Sequence, residues 1–154
     1  MESEAQEVAV KVDTSTLAMS SSGSITGVVA ISVSGNFFPA PNWDDFPVVI
    51  LNWWLEPLSR ILDGRSNLWN CRFMDGPVLM QIMQLEDDLW CVTGLHNDSV
   101  EFKAKISCRV FIQSLLYAAR EVLAACINRG WKSRDIDNLA STLREIDSSQ
   151  SVQP

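Results

Sequence analysis

The segment from Trp69 to Pro77 constrains the fold most, because it ends one apolar run and begins another with a tight turn between them. Within it, Asp75-Gly76 is a strong hairpin signal, since glycine readily adopts the positive φ angles of such turns. Two more apolar runs follow, separated by short polar segments at 86–88 and 96–99. The pattern predicts an antiparallel meander of four strands, at residues 68–74, 78–85, 89–95 and 100–106.

The second strand of this meander is largely apolar on both of its faces. On one side lie Leu79, Gln81, Met83 and Leu85, and on the other lie Val78, Met80, Ile82 and Gln84. A half-exposed antiparallel strand normally has its apolar residues on a single face, so this pattern predicts a central strand that is covered on both sides.

The chain before the meander contains further strand signals and one loop signal. Valines at alternate positions from Val8 to Val12 predict a short strand within residues 1–24. We otherwise expect this segment to be poorly ordered, because residues 20–24 are a serine-glycine loop. β-Branched residues from Ile25 to Phe38 predict a longer strand, which the prolines that follow it bring to an end.

The first predicted helix contains a proline that should break it. Its apolar residues recur at spacings of three and four from Phe46 to Leu62, and Pro47 suits a helical first turn. Pro57 removes one backbone hydrogen bond and clashes with the carbonyl of Trp53, so we expect a kink or a restart near Glu56.

Two further helices are predicted toward the C-terminus. The longer one, Cys108–Arg129, is apolar on most of its circumference. Ser107 is a suitable N-terminal cap for it, and Gly130 is a suitable residue to end it. The last helix begins after Ser133 and has a single narrow apolar stripe. The polar residues 148–154 follow it as a tail that we expect to be disordered.

Together these elements predict one α+β domain over residues 25–147, which suits a chain of 154 residues. We expect an antiparallel sheet of about five or six strands, with the long buried helix on one face and the shorter C-terminal helix outside it. The proline-kinked first helix should pack at the other face or at an edge of this sheet.

The net charge argues against several classes of partner. Residues 1–100 contain 13 acidic and 4 basic residues, which gives −9, within a chain whose total is −7. Phosphate groups would repel such a surface, so we expect no nucleic-acid binding, whereas a basic protein would be attracted. The acidic N-terminus does not resemble a secretion signal, and no long uncharged apolar run predicts a membrane span. We therefore expect a cytoplasmic protein that binds no membrane.

The sequence offers no recognisable catalytic or metal-binding set, so we expect a protein that is not an enzyme and needs no cofactor. His96 is the single histidine and lies in a predicted turn, without the partner pattern of a triad. The four cysteines are widely spaced and lack the close pairs of a zinc site. We expect buried thiols, although one sheet could bring Cys71 and Cys91 close enough for a disulfide.

Acidic residues in the predicted turns are the best candidates for a contact surface, because they have no local partner there. Trp43 precedes the first helix among acidic residues. An exposed indole at this position would anchor an interface, and a packed one would staple the helix start. The candidate partner-binding residues are Trp43, Asp44, Asp45, Asp75, Glu86, Asp87, Asp88 and Asp98.

Two motifs resemble those of small bacterial immunity proteins that accompany polymorphic or contact-dependent growth-inhibition toxins. The first is the Trp-Asp-x-Phe-Pro helix start at 43–47, and the second is the Arg-Phe-x-Asp-Gly-Pro hairpin at 72–77. A long alanine-rich helix and a shorter one follow, so the similarity covers residues 25–147. The resemblance implies a non-enzymatic protein that binds one cognate toxin domain and blocks its active site. Many such toxins are nucleases with basic clefts.

Three other functions remain open on the sequence. A small-molecule-binding module would line a pocket between the sheet and the first helix with tryptophans. An enzyme would use Asp75 or His96 in a concave pocket. A homodimer built through an open sheet edge is compatible with the toxin-binding function.

Overall fold

The computed structural model describes the backbone of residues 5–152 and the side chains of residues 5–149. It is an α+β fold with two four-stranded antiparallel sheets. The first, here called the N-terminal sheet, consists of β1 (Val8–Met19), β2 (Ile25–Val33), β3 (Asn36–Phe38) and β4 (Asp44–Asp45). The second, the meander sheet, consists of β5 (Leu68–Arg72), β6 (Val78–Glu86), β7 (Leu89–His96) and β8 (Ser99–Ser107). The helices are α1 (Pro47–Leu55), α2 (Leu58–Leu62), α3 (Cys108–Asn128) and α4 (Arg134–Val152).

The predicted fold class is confirmed, but the prediction of a single sheet with five or six strands is wrong. α1 separates the two sheets, since it contacts β2 of one and β5 of the other. A backbone hydrogen bond of 2.7 Å, donated by Gln6 to Lys105 of β8, links the start of the N-terminal sheet to the meander sheet. Buried residues of both sheets and of all four helices belong to one hydrophobic core.

α1 lies at the centre of the fold and not on an outer face or edge of a sheet. Seven of its nine residues are buried. The Trp54 indole donates to the carbonyl oxygen of Arg72 at 2.8 Å, and the Trp69 indole of β5 donates to the carbonyl oxygen of Trp54 at 2.9 Å. These two indoles fix the helix to the meander sheet. The predicted proline break is confirmed, because α1 ends at Leu55 and α2 begins directly after Pro57.

β1 is much longer than the short strand predicted within residues 1–24. It continues to Met19 after an irregularity that follows Asp13. α3 covers its free edge: the Val10 amide donates to the Ser114 hydroxyl at 2.7 Å, and the Arg129 guanidinium donates to two β1 carbonyl oxygens at 2.8 and 2.9 Å. Because these partners lie more than 100 residues away, local sequence signals did not predict them. Residues 1–4 lie outside the described part of the chain.

The four-stranded meander is confirmed, but the prediction that β6 is covered on both sides is wrong. One face of the meander sheet is buried through alternate residues such as Trp69, Met80 and Val92. Trp69 packs edge-on against Phe111, so α3 lies against this inner face, as α1 does. Since both helices occupy the same side, the opposite face is left to solvent, and Met83 on β6 is exposed there.

α3 begins and ends as predicted. The Ser107 hydroxyl accepts from the Val110 amide at 3.2 Å, and Gly130 adopts a φ of +72° after the last turn. By length and composition alone, this described helix is long and apolar enough to cross a membrane, with a mean hydropathy of 1.5. Its packing against β1, α1 and α4 accounts for the same composition.

α4 begins at its predicted cap and continues past the predicted end of the domain. The Ser133 hydroxyl accepts from the Ile136 amide at 3.1 Å. The helix runs to Val152, so it includes most of the segment 148–154 that was expected to be a disordered tail. The Arg120 guanidinium of α3 pairs with Asp147 at 2.7 Å, which ties the end of α4 to the fold. Residues 153–154 lie outside the described part of the chain.

Gly94 of β7 faces the core, where the rings of Phe38 and Phe102 occupy the space of a side chain. A Cβ atom at this position would lie 2.3 Å from the Phe102 ring and 2.9 Å from the Phe38 ring. We expect Gly94→Ala to lower the free energy of unfolding by about 1–3 kcal/mol, because the rings must move to accept a methyl group. Urea unfolding followed by tryptophan fluorescence measures this change.

The double variant Gly94→Ala/Phe102→Leu is the control for this prediction, since leucine vacates the clashing position. If the Phe102 clash is the main cause, Gly94→Ala should lower the free energy of unfolding less in the Phe102→Leu background than in the unsubstituted chain, because only the weaker contact with Phe38 remains. A Gly94→Ala protein as stable as the unsubstituted chain would contradict the packing described here.

Candidate functional site

The eight predicted contact residues lie at two opposite ends of the meander sheet. The β5–β6 and β7–β8 turns, with Asp75 and Asp98, are at one end, and Asp44 of β4 lies beside them. At ~3.3 Å per residue, β6 separates this end from the other by roughly 25–30 Å. The predicted residues therefore do not form one acidic cluster. At the far end, Glu86 is the last residue of β6, and Asp87 and Asp88 form the β6–β7 turn.

Asp45 is buried and offers little surface to a partner, since it is only 1% exposed. One carboxylate oxygen accepts hydrogen bonds from the Phe46 and Met74 amides at 2.7 and 3.2 Å. The other accepts from the Asp75 amide at 3.1 Å and from the Trp43 indole at 2.9 Å. A buried carboxylate is stable only when its oxygens are hydrogen-bonded in this way.

Trp43 is partly buried and packs at the start of α1, so it is not an exposed interface anchor. Its ring packs against the core and lies beside Gly76 of the β5–β6 turn, while its indole nitrogen donates to Asp45. The motifs at 43–47 and 72–77, which carry the resemblance to immunity proteins, therefore meet at one point of the structure.

Asp88 is bonded to the start of α3. Its carboxylate accepts from the Ser107 hydroxyl and, at 2.7 Å, from the Arg109 amide, and its carbonyl oxygen accepts from the Cys108 amide at 2.8 Å. A carboxylate at a helix N-terminus satisfies amides that have no partner within the helix and favours the positive end of its dipole. Local sequence signals do not predict this role, since the two donors to the Asp88 carboxylate lie 19 and 21 residues away.

The other five predicted residues are exposed carboxylates. No described residue forms an ion pair with their carboxylates or donates a hydrogen bond to them, so their charge remains available to act on an approaching partner. They are Asp44, Asp75, Glu86, Asp87 and Asp98.

The outer face of the meander sheet, here called the open face, is an exposed surface that the sequence reading missed. Leu68, Met83 and Cys91 lie side by side in register on β5, β6 and β7, and Leu79 and Leu95 form a second apolar pair. Met83 is 49% exposed and Leu68 is 38% exposed. The apolar residues on both faces of β6 are the sequence signal for this surface, although the pattern alone predicts burial on both sides.

Basic residues lie on the two edge strands of the open face. Arg72 ends β5, and Lys103 lies on β8 in register with Thr93, with Glu101 two residues before it. Arg72 and Lys103 are both exposed. Since acidic turns lie at the strand ends and cations at the lateral edges, the charges around the two apolar rows give this surface an electrostatic orientation.

An open groove of about 810 Å³ lies between α2, α3 and the β6–β7 turn. The tryptophan-lined pocket was predicted elsewhere, between the sheet and the first helix. There the rings of Trp54 and Phe73 pack with centroids 5.1 Å apart and fill the space. A single tryptophan contributes to the observed groove, whose lining includes Ile61, Leu62, Asp87, Trp90, Arg109, Ile112, Leu116, Tyr117 and Arg120.

The four cysteines are free thiols in different surroundings. Burial raises the pKa of Cys71 and of Cys126, and burial together with the nearby Asp88 charge raises the pKa of Cys108 to about 12. Cys71 lies on the inner face of the meander sheet and Cys91 on the outer face, so the disulfide left open by the sequence does not form.

The structure also places the residues that the sequence offered for metal binding or catalysis. No group of three or more described His, Cys, Asp or Glu side chains is placed to hold a metal ion. His96 and Asp75, the residues considered for an enzyme, are both exposed. Exposed polar groups at strand ends are typical of solvated turns and of contact surfaces.

The fold and its surface define a small α+β protein with an open, partly apolar sheet face between acidic turns. No protein-family model matches the sequence, and no curated protein and no solved structure matches the chain. The resemblance to immunity proteins therefore rests on the two motifs that meet at Asp45.

Asp45→Asn tests the structural role of the buried carboxylate. The amide removes the charge and replaces one acceptor oxygen with a donor, so we expect the free energy of unfolding to fall by about 2–4 kcal/mol. Asp44→Asn is the matched control, because the adjacent exposed residue should change stability by less than ~0.5 kcal/mol. Chemical denaturation measures both variants, and equal stabilities would count against the role described here.

Proposed function

We propose that this chain is an immunity protein that binds a cognate toxin domain in the bacterial cytoplasm and neutralises it by stoichiometric occlusion. The observation that carries the proposal is the open face, an exposed and partly apolar surface with acidic turns at both ends. Exposed apolar patches rimmed by polar residues are typical of protein–protein interfaces. The resemblance of the motifs at 43–47 and 72–77 to those of immunity proteins supplies the class of partner.

Charge supports a basic partner. The chain has a net charge of −7, and the carboxylates of its turns face solvent. Opposite fields on two proteins raise their association rate and select their relative orientation. A nuclease toxin with a basic substrate cleft would present such a field, and an acidic protein would block that cleft in place of nucleic acid. This function requires no catalytic residue, cofactor or membrane.

Calorimetry with a purified toxin domain tests the proposal. The proposal requires a toxin domain encoded immediately upstream of the gene for this chain, and that domain is the bait. We expect one-to-one binding at nanomolar affinity, together with loss of the toxin's activity in an equimolar mixture. Absence of binding would contradict the proposal.

Charge reversal at the acidic turns should slow toxin binding. We expect Asp75→Lys/Asp98→Lys to lower the association rate constant about tenfold at low salt, with a smaller effect at high salt. Asp87→Lys tests the other end of the sheet, whereas Asp88 is left unchanged because it caps α3. Stopped-flow kinetics measure the rates, and Glu121→Lys on the exposed side of α3 is the control. An equal loss in the control would assign the effect to net charge and not to these turns.

A second candidate function, the binding of a small molecule, is favoured by the groove beside α3. Its volume of about 810 Å³ lies within the range of ligand sites, and its floor is apolar. Arg109 on its rim suits an apolar molecule with an anionic group. In a thermal-shift screen, a ligand for this groove should raise the Tm of the unsubstituted chain but not of Arg109→Ala or Tyr117→Ala. A screen without any stabilising compound would argue against this function.

A homodimer through an open sheet edge is supported less well. On the outer edge of β5, the Trp54 indole donates to the Arg72 carbonyl oxygen, and the Ser66 hydroxyl donates to the Leu68 carbonyl oxygen at 3.0 Å. α3 covers the edge of β1. Strand edges whose backbone groups are already bonded offer few sites to a second chain.

A further inference from the structure

We infer that the open face is the centre of the toxin-binding surface and that the acidic turns form its two ends. This inference rests on the proposed function, and it adds where the partner binds and what chemistry the partner presents. The partner is a flat protein surface with apolar side chains opposite the two apolar rows of the open face and with lysine or arginine residues at two opposite ends. The five exposed carboxylates, which lie too far apart to form one cluster, then belong to a single interface.

The fold does not require the apolar residues of the open face, which form two rows on either side of a polar row that includes Gln81. Outer positions of an antiparallel sheet with one solvated face are normally polar. Here the row of Leu68, Met83 and Cys91 runs across three strands, and the exposed Leu85 continues it along β6. Burial of this row against a partner removes apolar area from water, which is the main source of interface stability.

The dimensions of the open face suit a standard interface. Four strands spaced ~4.8 Å apart give a width of roughly 19 Å, and nine residues at ~3.3 Å each give a length of roughly 30 Å. The area is then roughly 570 Å², whereas each partner in a standard interface buries ~800 Å². The turns at both ends supply much of the difference, so their acids lie where the polar rim of an interface is expected.

The charge distribution favours a different, basic protein over a second copy of this chain. If a twofold axis along the strands stacked two copies face to face, Asp75 and Asp98 of both copies would meet. An axis across the strands would place these acids against the Glu86-Asp87 turn of the other copy. Both arrangements bring carboxylates together, which opposes binding. A partner with cations at both ends has no such repulsion.

Truncation of the apolar row that contains Leu68 and Met83 is the first test. We expect Leu68→Ala/Met83→Ala to weaken toxin binding at least tenfold, mainly through a faster dissociation rate, since these short-range contacts exist only in the formed complex. Charge reversal at the acidic turns should act mainly on association instead. The control is Leu62→Ala/Ile127→Ala, because both side chains are exposed apolar residues on helices outside the open face. Surface plasmon resonance separates the two rates.

Cys91 provides a second readout that needs no substitution. Its thiol lies in the open face and is partly exposed, whereas Cys71 and Cys126 are fully buried. A maleimide should label Cys91 in the free protein, and a saturating amount of toxin domain should slow this labelling at least tenfold. Peptide mass spectrometry identifies the labelled residue. Labelling of Cys91 at the full rate within a saturated complex would overturn the inference.

The outcomes distinguish this inference from the proposed function. Absence of toxin binding by the unsubstituted chain would contradict both the proposed function and this inference. Tight binding, with unchanged dissociation of the Leu68→Ala/Met83→Ala variant and full-rate labelling of Cys91, keeps the proposed function and overturns this inference. Faster dissociation and slower labelling support both.

Discussion

The carboxylate of Asp45 holds the two sheets and the first helix in position. Asp45 belongs to β4, which pairs with β2 at Gly27, and it accepts hydrogen bonds from the start of α1 and from the β5–β6 turn. A charge so far removed from water is unfavourable unless donors surround it, and the indole and three amides here provide them. The N-terminal sheet, α1 and the meander sheet therefore cannot shift independently of one another.

This junction explains why the two motifs occur together in one sequence. Pro47 begins α1 two residues after the carboxylate, and Gly76, with a φ of +92°, permits the turn whose amides at Met74 and Asp75 face it. A helix start and a hairpin are thus the two halves of one tertiary contact. The residues of these motifs hold the fold together, so they do not show which side chains would contact a partner. A partner would have to be bound by exposed side chains outside the buried contact at Asp45.

Local signals in the sequence predicted most of the elements. The Pro57 break and the Ser107 cap depend on residues within one helical turn, and the structure confirms both. The division into two sheets and the roles of Asp45 and Asp88 depend on distant partners, such as the Asp75 amide 30 residues away from Asp45. Local patterns contain no information about such partners. An acid at the end of a strand therefore looks the same in the sequence whether it caps a helix, joins two sheets or faces solvent.

Apolar residues on both faces of a strand do not reveal what covers each face. On β6 the inner row, with Met80 and Ile82, meets the core, while the outer row, with Leu79 and Met83, faces solvent. Both rows are apolar in the sequence, because burial within a chain and burial against a partner both favour apolar side chains for the same physical reason. The two rows can be told apart only from the positions of α1 and α3, which both pack on the inner side. In a toxin-binding protein, the apolar row left outside would set how long the partner stays bound, and the acidic turns would set how fast it arrives.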